Sequence, residues 1–591
     1  MKCFTRAAGV TVLLGLVAGC ATHPVTQETR AVPATVPAPA TAAEAPPPAE
    51  TEAKAAKPAP IPPEVMYKVL VAEVAIQRGQ YEVAIKNYLD LGKELHDPRM
   101  LERATRVAVY SHDDERALEA SKLWVELEPD SIDAREVVTA FYIRNGQYDE
   151  AQQQLEALLT IDAKEGSENT FMLIAGLLGR QQDKQAALEV MQRLVKARPD
   201  DPNALLALSH LAVRAGVLDQ AEQSIKRVVE LQPDRMEAQV QEARILAMRG
   251  KSTEALNLLE KAVKKHPEDT DLRISYARLL LDAKHLDRAY EQFKLVDKAS
   301  PDQPEILLAM GVVAIDLQRL DEAEKHFQRL NSLNRGYESE SSYYLGRIAE
   351  DFRKNTNEAI KWYKKVEPGE QYLESQIRIA LLLAQSGDIA QARGQLASVT
   401  PRSPAERMRI FLADGQILRE AGRTEDAIGV FTTGLQELPD NTDLLYARAM
   451  AEDKLGKLPD MEADLRKILS REPDNVDALN ALGYSLADRT TRYDEALKLI
   501  RHALDLRPDS YFILDSMGWV QYRLGHYQDA IDFLRRALDM SSDSEIAAHL
   551  TEVLWVIGDK QAARAVWDKA LKGAPGNKVL LDVMNRLDHK P

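Results

Sequence analysis

Small apolar residues recur along this chain at a nearly fixed interval. Ala187, Ala221, Ala255, Ala289 and Ala323 stand 34 residues apart. The series runs back through Ala151, Ala117 and Ala84 and forward through Ala359, Ala392, Ala427, Met461, Ala496, Ala530 and Ala563, giving fifteen units with alanine at fourteen anchors. Five residues before the anchor, nine units carry glycine, at Gly79, Gly146, Gly216, Gly250, Gly387, Gly422, Gly456, Gly525 and Gly558. A glycine there permits the left-handed backbone that ends one helix. Acidic residues often follow, as in Asp149-Glu150, Asp321-Glu322 and Asp494-Glu495, and suit the positive end of the next helix. Twelve residues after the anchor, Pro129, Pro199, Pro233, Pro267, Pro301, Pro439, Pro473, Pro508 and Pro575 close the second helix. The aspartate that usually comes next is expected to cap the helix beyond it. Each unit therefore reads as helix, tight turn, helix, and the anchor is small because the two helices pass close together.

The fold class is thus all-α, a solenoid of about fifteen helix pairs spanning residues 64–576. Residues 577–591 are expected to seal its last unit, since Val579, Leu580, Val583 and Leu587 fall at helical spacing. The anchor spacing lengthens to 36 between Ala151 and Ala187 and between Ala323 and Ala359. Ala163–Ser167 and Asn331–Tyr337 read there as looser connections, either bends or rigid irregular packing.

The units resemble the tetratricopeptide repeat family, which has a small residue in the first helix, alanine near the start of the second, another small residue later, and a closing proline. Ala243, Gly250, Ala255, Ala262 and Pro267 follow that pattern, as do Gly483, Ala496, Ala503 and Pro508. The resemblance implies a superhelix whose concave face binds other proteins. Alignment to the pattern puts Asn480, Tyr484 and Asp488 of unit thirteen and Asp515, Trp519 and Tyr522 of unit fourteen toward the groove, with Tyr446 extending the stripe one unit earlier. Aromatics there can pack on a partner's apolar side chains while carboxylates and the amide hold its backbone or basic groups. A packing role between repeats competes for Trp519 and Tyr522. The family's paired basic and asparagine clamp for a C-terminal carboxylate is not clearly present.

The N-terminus has a different character. Lys2 and Arg6 precede an apolar run from Ala7 to Leu16, and Val17-Ala18-Gly19-Cys20 follows. A basic start, a short apolar centre and small residues before a cysteine resemble a bacterial lipoprotein signal. By that resemblance residues 1–19 are removed, Cys20 is lipidated, and Ala21 favours sorting to the outer membrane. Residues 20–63 hold ten prolines between Pro33 and Pro63 and show no apolar periodicity. They are expected to form a disordered tether, reaching about 130 Å if wholly polyproline-like and substantially less as a flexible coil.

The charge balance of 76 basic to 92 acidic residues, net −16, disfavours a broad polyanion-binding face, so nucleic acid is a poor partner. The two cysteines, Cys3 and Cys20, exclude thiol chemistry from the repeats. No HExxH, GxSxG, GxGxxG or GxxxxGK[ST] pattern occurs, and the eleven histidines are scattered. His210, His266 and His502 fall in separate repeats and read as surface or packing residues. No catalytic residue, metal site or cofactor is expected.

Lipobox, tether, repeats and the segments Asn480–Asp488 and Ile513–Trp519 together are similar to pseudomonad tetratricopeptide lipoproteins. That resemblance implies an adaptor facing the periplasm from the outer membrane. Its implied partners are a carboxyl-terminal processing serine protease and substrates such as peptidoglycan cross-link hydrolases. The alternative is a structural lipoprotein of an envelope assembly, such as polysaccharide export, secretion or pilus machinery.

Overall fold

The computed structural model describes residues 62–165 and 170–588, without the side chains of residues 162–165 and 588. The leader, Cys20 and the tether up to residue 61 lie outside the described residues. What is described is all helical, with thirty-one α-helices and one π-helical turn. The first thirty α-helices fall into fifteen pairs, from Pro63–Gln77 with Tyr81–Leu95 to Ser544–Val556 with Lys560–Gly573.

Every anchor is the fourth residue of a second helix and is fully buried. The reason is the close approach of the two helices. A Cβ built on Gly415, in a first helix, would meet the Phe431 ring at 2.2 Å, and one on Gly311 would meet Phe327 at 2.6 Å. Absent side chains on one helix make room for rings on the other, at near-crystalline density.

The turns follow the register more closely than the residue type. All nine anchor-linked glycines take a left-handed backbone, with φ between 70° and 93°. His112, Lys284, Gln318 and Lys354 occupy the same position in four other units and adopt it too, with φ from 53° to 61°. The next amide then reaches back to close the first helix, as Gln80 N–H does to Ala75 C=O at 2.8 Å and His285 to Leu280 at 2.8 Å.

Capping differs from the expectation. The aspartate directly after the closing proline is not the cap; the residue after it is. Asp201 accepts from Asn203 and Ala204, Asp269 from Leu272, Asn441 from Leu444 and Asn475 from Ala478. The post-proline aspartate instead pairs with the second helix of the following unit. Asp200 meets Arg227 at 2.6 Å, Asp302 meets Arg329 at 2.7 Å and Asp440 meets Lys467 at 2.5 Å. A second ladder joins acids at the start of one second helix to the next unit's turn: Asp114 to Arg144, Asp219 to Arg249, Asp287 to Arg319 and Glu425 to Lys457. These pairs are exposed and screened, so they fix register more than they stabilise.

The lengthened connection before unit nine is tied down. Asn331 donates its amide to Glu338 C=O, Ser341 Oγ and Ser342 Oγ at 2.8–3.1 Å. The surplus length is also taken up in the first helix of that unit, where Glu338–Arg347 runs into the π turn Ile348–Phe352. The other long unit has a second helix extended to Tyr148–Glu165, and residues 166–169 lie outside the described residues. At the C-terminal end Lys578–Asp588 covers unit fifteen through buried Leu580, Val583 and Leu587, and Trp567 Nε1 donates to Leu580 C=O at 2.7 Å. Val579 faces solvent instead, because it lies one residue off that stripe.

Candidate partner-binding face

The inner face is located by one long contact. Tyr484 immediately follows Gly483, whose missing Cβ admits Ile500 of the paired helix; a Cβ there would be 2.5 Å from Ile500 Cγ1. From this position the Tyr484 hydroxyl passes unit fourteen altogether and comes within 3.4 Å of Glu545 Oε1 and His549 Nε2 in unit fifteen. Units that are not neighbours approach only on the concave side of a curved stack. The residue after the small residue of each first helix therefore faces inward.

Five of the seven predicted site residues come together here. Trp519 Nε1 donates to Asp488 Oδ1 at 3.2 Å, and its ring stacks on His549 at 4.2 Å between centroids and contacts Tyr522 at 5.1 Å. Both Asp515 oxygens face His549 Nδ1, at 2.9 and 3.1 Å. Tyr522 donates to Glu552, which also pairs with Arg586 of the terminal helix. Arg523 donates to the Asp488 carbonyl at 2.7 Å and to the Tyr493 hydroxyl at 2.9 Å. Asn480 and Tyr446 stand apart from this network. Asn480 Oδ1 is buried without a partner among the described residues, and Tyr446 is half-buried, its phenol pushed up to about 12 by burial and by Asp477.

Burial separates the roles. Trp519 is 6% exposed, Asp515 and His549 each 8%, whereas Tyr484, Asp488 and Tyr522 keep part of their surface. Trp519, Asp515 and His549 thus fill the joint between units fourteen and fifteen and hold the partly exposed residues in place. Burial alone would lower His549, but the Asp515 carboxylate, with Glu545 and Glu552 beyond it, outweighs that and raises it above its usual value. Burial and Glu552 push Tyr522 up to about 12, and burial with Glu545 raises Tyr484 further. A phenol so held keeps its proton, and the two His549 nitrogens face the Asp515 carboxylate and the Tyr484 hydroxyl. The arrangement suits packing and hydrogen bonding.

His549, Glu545, Glu552 and Arg523 were not among the residues predicted from sequence. Asp515 and His549 are 34 residues apart, one repeat length, and that spacing is the signal that could have joined them. Of the histidines that were singled out, His502 pairs with Asp474 at 2.9 Å, His266 lies 3.8 Å from Glu268, and His210 is driven down to about 4 by burial and by Arg244. Among the described residues no group of three or more His, Cys, Asp or Glu is placed to hold a metal ion, and no helix is long and apolar enough to cross a membrane.

Tetratricopeptide repeat family models match residues 142–202, 180–245, 246–306, 377–442, 474–543 and 516–578. With the buried anchors and paired helices, these matches place the chain in the tetratricopeptide repeat family, whose members are typically non-catalytic scaffolds for other proteins. It is similar to the TPR repeat-containing protein PA4667 of Pseudomonas aeruginosa, at 37% identity over 490 residues, covering 82% of each chain. Among solved structures it is similar to TTC0263, a thermophilic TPR protein of Thermus thermophilus, at 25% identity over 32% of this chain and 97% of that one, TM-score 0.27. The Cut9–Hcn1 structure of the APC/C matches at 15% identity over 88% of this chain and 96% of that one, TM-score 0.32.

Proposed function

We propose that this chain is a lipid-anchored adaptor on the periplasmic side of the outer membrane. It would hold a carboxyl-terminal processing serine protease and bring to it protein substrates such as peptidoglycan cross-link hydrolases. The observation that carries the reading is the continuity of the repeats: fifteen units occupy residues 63–573, presenting an inner face and leaving no room among them for a separate catalytic domain. The lipobox-like Cys20 and the Pro/Ala-rich segment after it support attachment through a long leash. Joining protease and substrate on one scaffold raises their effective concentration toward each other without new chemistry.

The test is crosslinking in intact cells with identification of the captured proteins, together with substrate lifetimes in a strain lacking the chain. Capture of a processing protease and accumulation of cell-wall hydrolases while the protease is still present are the expected results. Stable stoichiometric capture of channel or export proteins, with hydrolase lifetimes unchanged, would point to the envelope-assembly alternative.

A further inference from the structure

The inner row read from Tyr484 can be followed through the whole stack, because each member comes directly after the small buried residue of its first helix. In units five, six and seven the small residues are Ser209, Ala243 and Ala277, all fully buried, and the row holds His210, Arg244 and Arg278. Arg244 and Arg278 are exposed, and neither has a carboxylate within 4 Å among the described residues. The contrast lies within the row itself. In units two and nine it also carries arginine, but Arg106 pairs with Glu102 at 2.6 Å and Arg347 with Asp351 at 2.6 Å. Around Arg244 those flanking turns hold Val240 and Met248 in place of acids, and Asp282, one turn beyond Arg278, does not reach it.

One turn before the row lie Leu206, Val240, Ile274 and Leu308, of which Val240 and Ile274 remain partly exposed, and Met248 is 50% exposed. His210, neutral and half-buried beside Arg244, adds a polar group without adding charge. Two unengaged guanidiniums beside an apolar strip, in a chain of net charge −16, form a local surface whose complement is anionic and apolar together.

We propose that the inner face of units five to eight receives a segment of a partner protein that alternates carboxylates with apolar side chains. The carboxylates meet Arg244 and Arg278, and the apolar groups lie on Val240, Ile274 and Met248. The proposal rests on the adaptor reading, since it names the chemistry of the cargo, and it makes the site distinct from the aromatic joint of units thirteen to fifteen.

The test uses the full chain in detergent and two short fluorescent peptides, one alternating leucine with glutamate and one alternating leucine with lysine, followed by anisotropy. The glutamate peptide is expected to bind at least about ten-fold tighter, to weaken as salt is raised, and to lose that preference in R244Q/R278Q with unchanged circular dichroism. Equal affinity for the two peptides would overturn the proposal, as would a preference that survives the double substitution. So would equally tight binding of an oligothymidylate of the same charge, which would mark a general polyanion site. If the peptides discriminate but hydrolase lifetimes do not respond to loss of the chain, the adaptor reading alone fails. If the lifetimes respond and the peptides do not discriminate, only the acidic-segment assignment falls.

Discussion

Replacing Asp515 with asparagine tests the joint between units fourteen and fifteen. Breaking a buried ion pair while one charge remains costs about 3–5 kcal/mol. Here the imidazole can escape that cost by giving up its proton, which leaves the exchange of a charge-assisted hydrogen bond for a neutral one, about 1–2 kcal/mol. The effect depends on pH with a definite sign. His549 is raised in the folded chain, so its contribution is fully present below 6.5 and is lost as pH rises through the higher folded value. The gap between wild type and D515N should therefore be widest below 6.5 and narrow once pH has risen through the higher folded value. Because neighbouring repeats unfold semi-independently, the measurement is hydrogen exchange in Tyr511–Arg523 and Ser544–Val556 across a pH series that starts below 6.5. Protection that D515N leaves intact, or a loss that does not change with pH, would refute the argument.

Three further outcomes rest on other parts of the fold. Glu452 is 6% exposed, has one carboxylate oxygen without a partner among the described residues, and lies beside the Arg448–Asp464 pair; burial and Asp464 push it up to about 7 from 4.5. Its raised value means stability is lost as pH rises through 7, by about 3 kcal/mol at most, so E452Q should melt higher than wild type at pH 8 and not at pH 4. Gly518 and Gly429 both lie inside helices, but a Cβ on the first would sit 2.5 Å from Leu534 Cγ and 3.1 Å from the Ala530 carbonyl, whereas the second has nothing within 4 Å. In chemical denaturation G518A should lose about 1–2 kcal/mol, overpacking exceeding the gain in helix propensity, and G429A should gain up to about 1 kcal/mol. His112, exposed at φ 58°, bears a left-handed strain of about 1–2 kcal/mol that glycine's greater chain entropy only partly offsets, so H112G should raise the denaturation midpoint slightly.

The alanine series made the fold legible because close helix packing restricts side-chain volume at one place in every unit, and a volume constraint repeats visibly. Turns were legible only where glycine marked them. At His112, Lys284, Gln318 and Lys354 the register imposes the conformation on residues that do not advertise it. The cap was misplaced by one residue because two polar residues commonly follow the proline, and only geometry distinguishes which reaches the amides. Alignment brought Tyr484, Asp488, Asp515, Trp519 and Tyr522 to one region, yet their burial could not be read without knowing how tightly unit fifteen closes on unit fourteen. The freedom of Arg244 and Arg278 was equally hidden, since Arg278 has an acid at helical spacing in Asp282 that does not engage it.

The contact from Tyr484 to Glu545 and His549 skips a unit, and this has a mechanical meaning. A stack whose units touch only their neighbours behaves as a uniform spring, in which small rotations at many joints let it widen or tighten at low cost. A strut across two joints removes that compliance locally. Units thirteen to fifteen are thereby cross-braced, so a change of curvature in this part of the coil has first to break the Tyr484 contact.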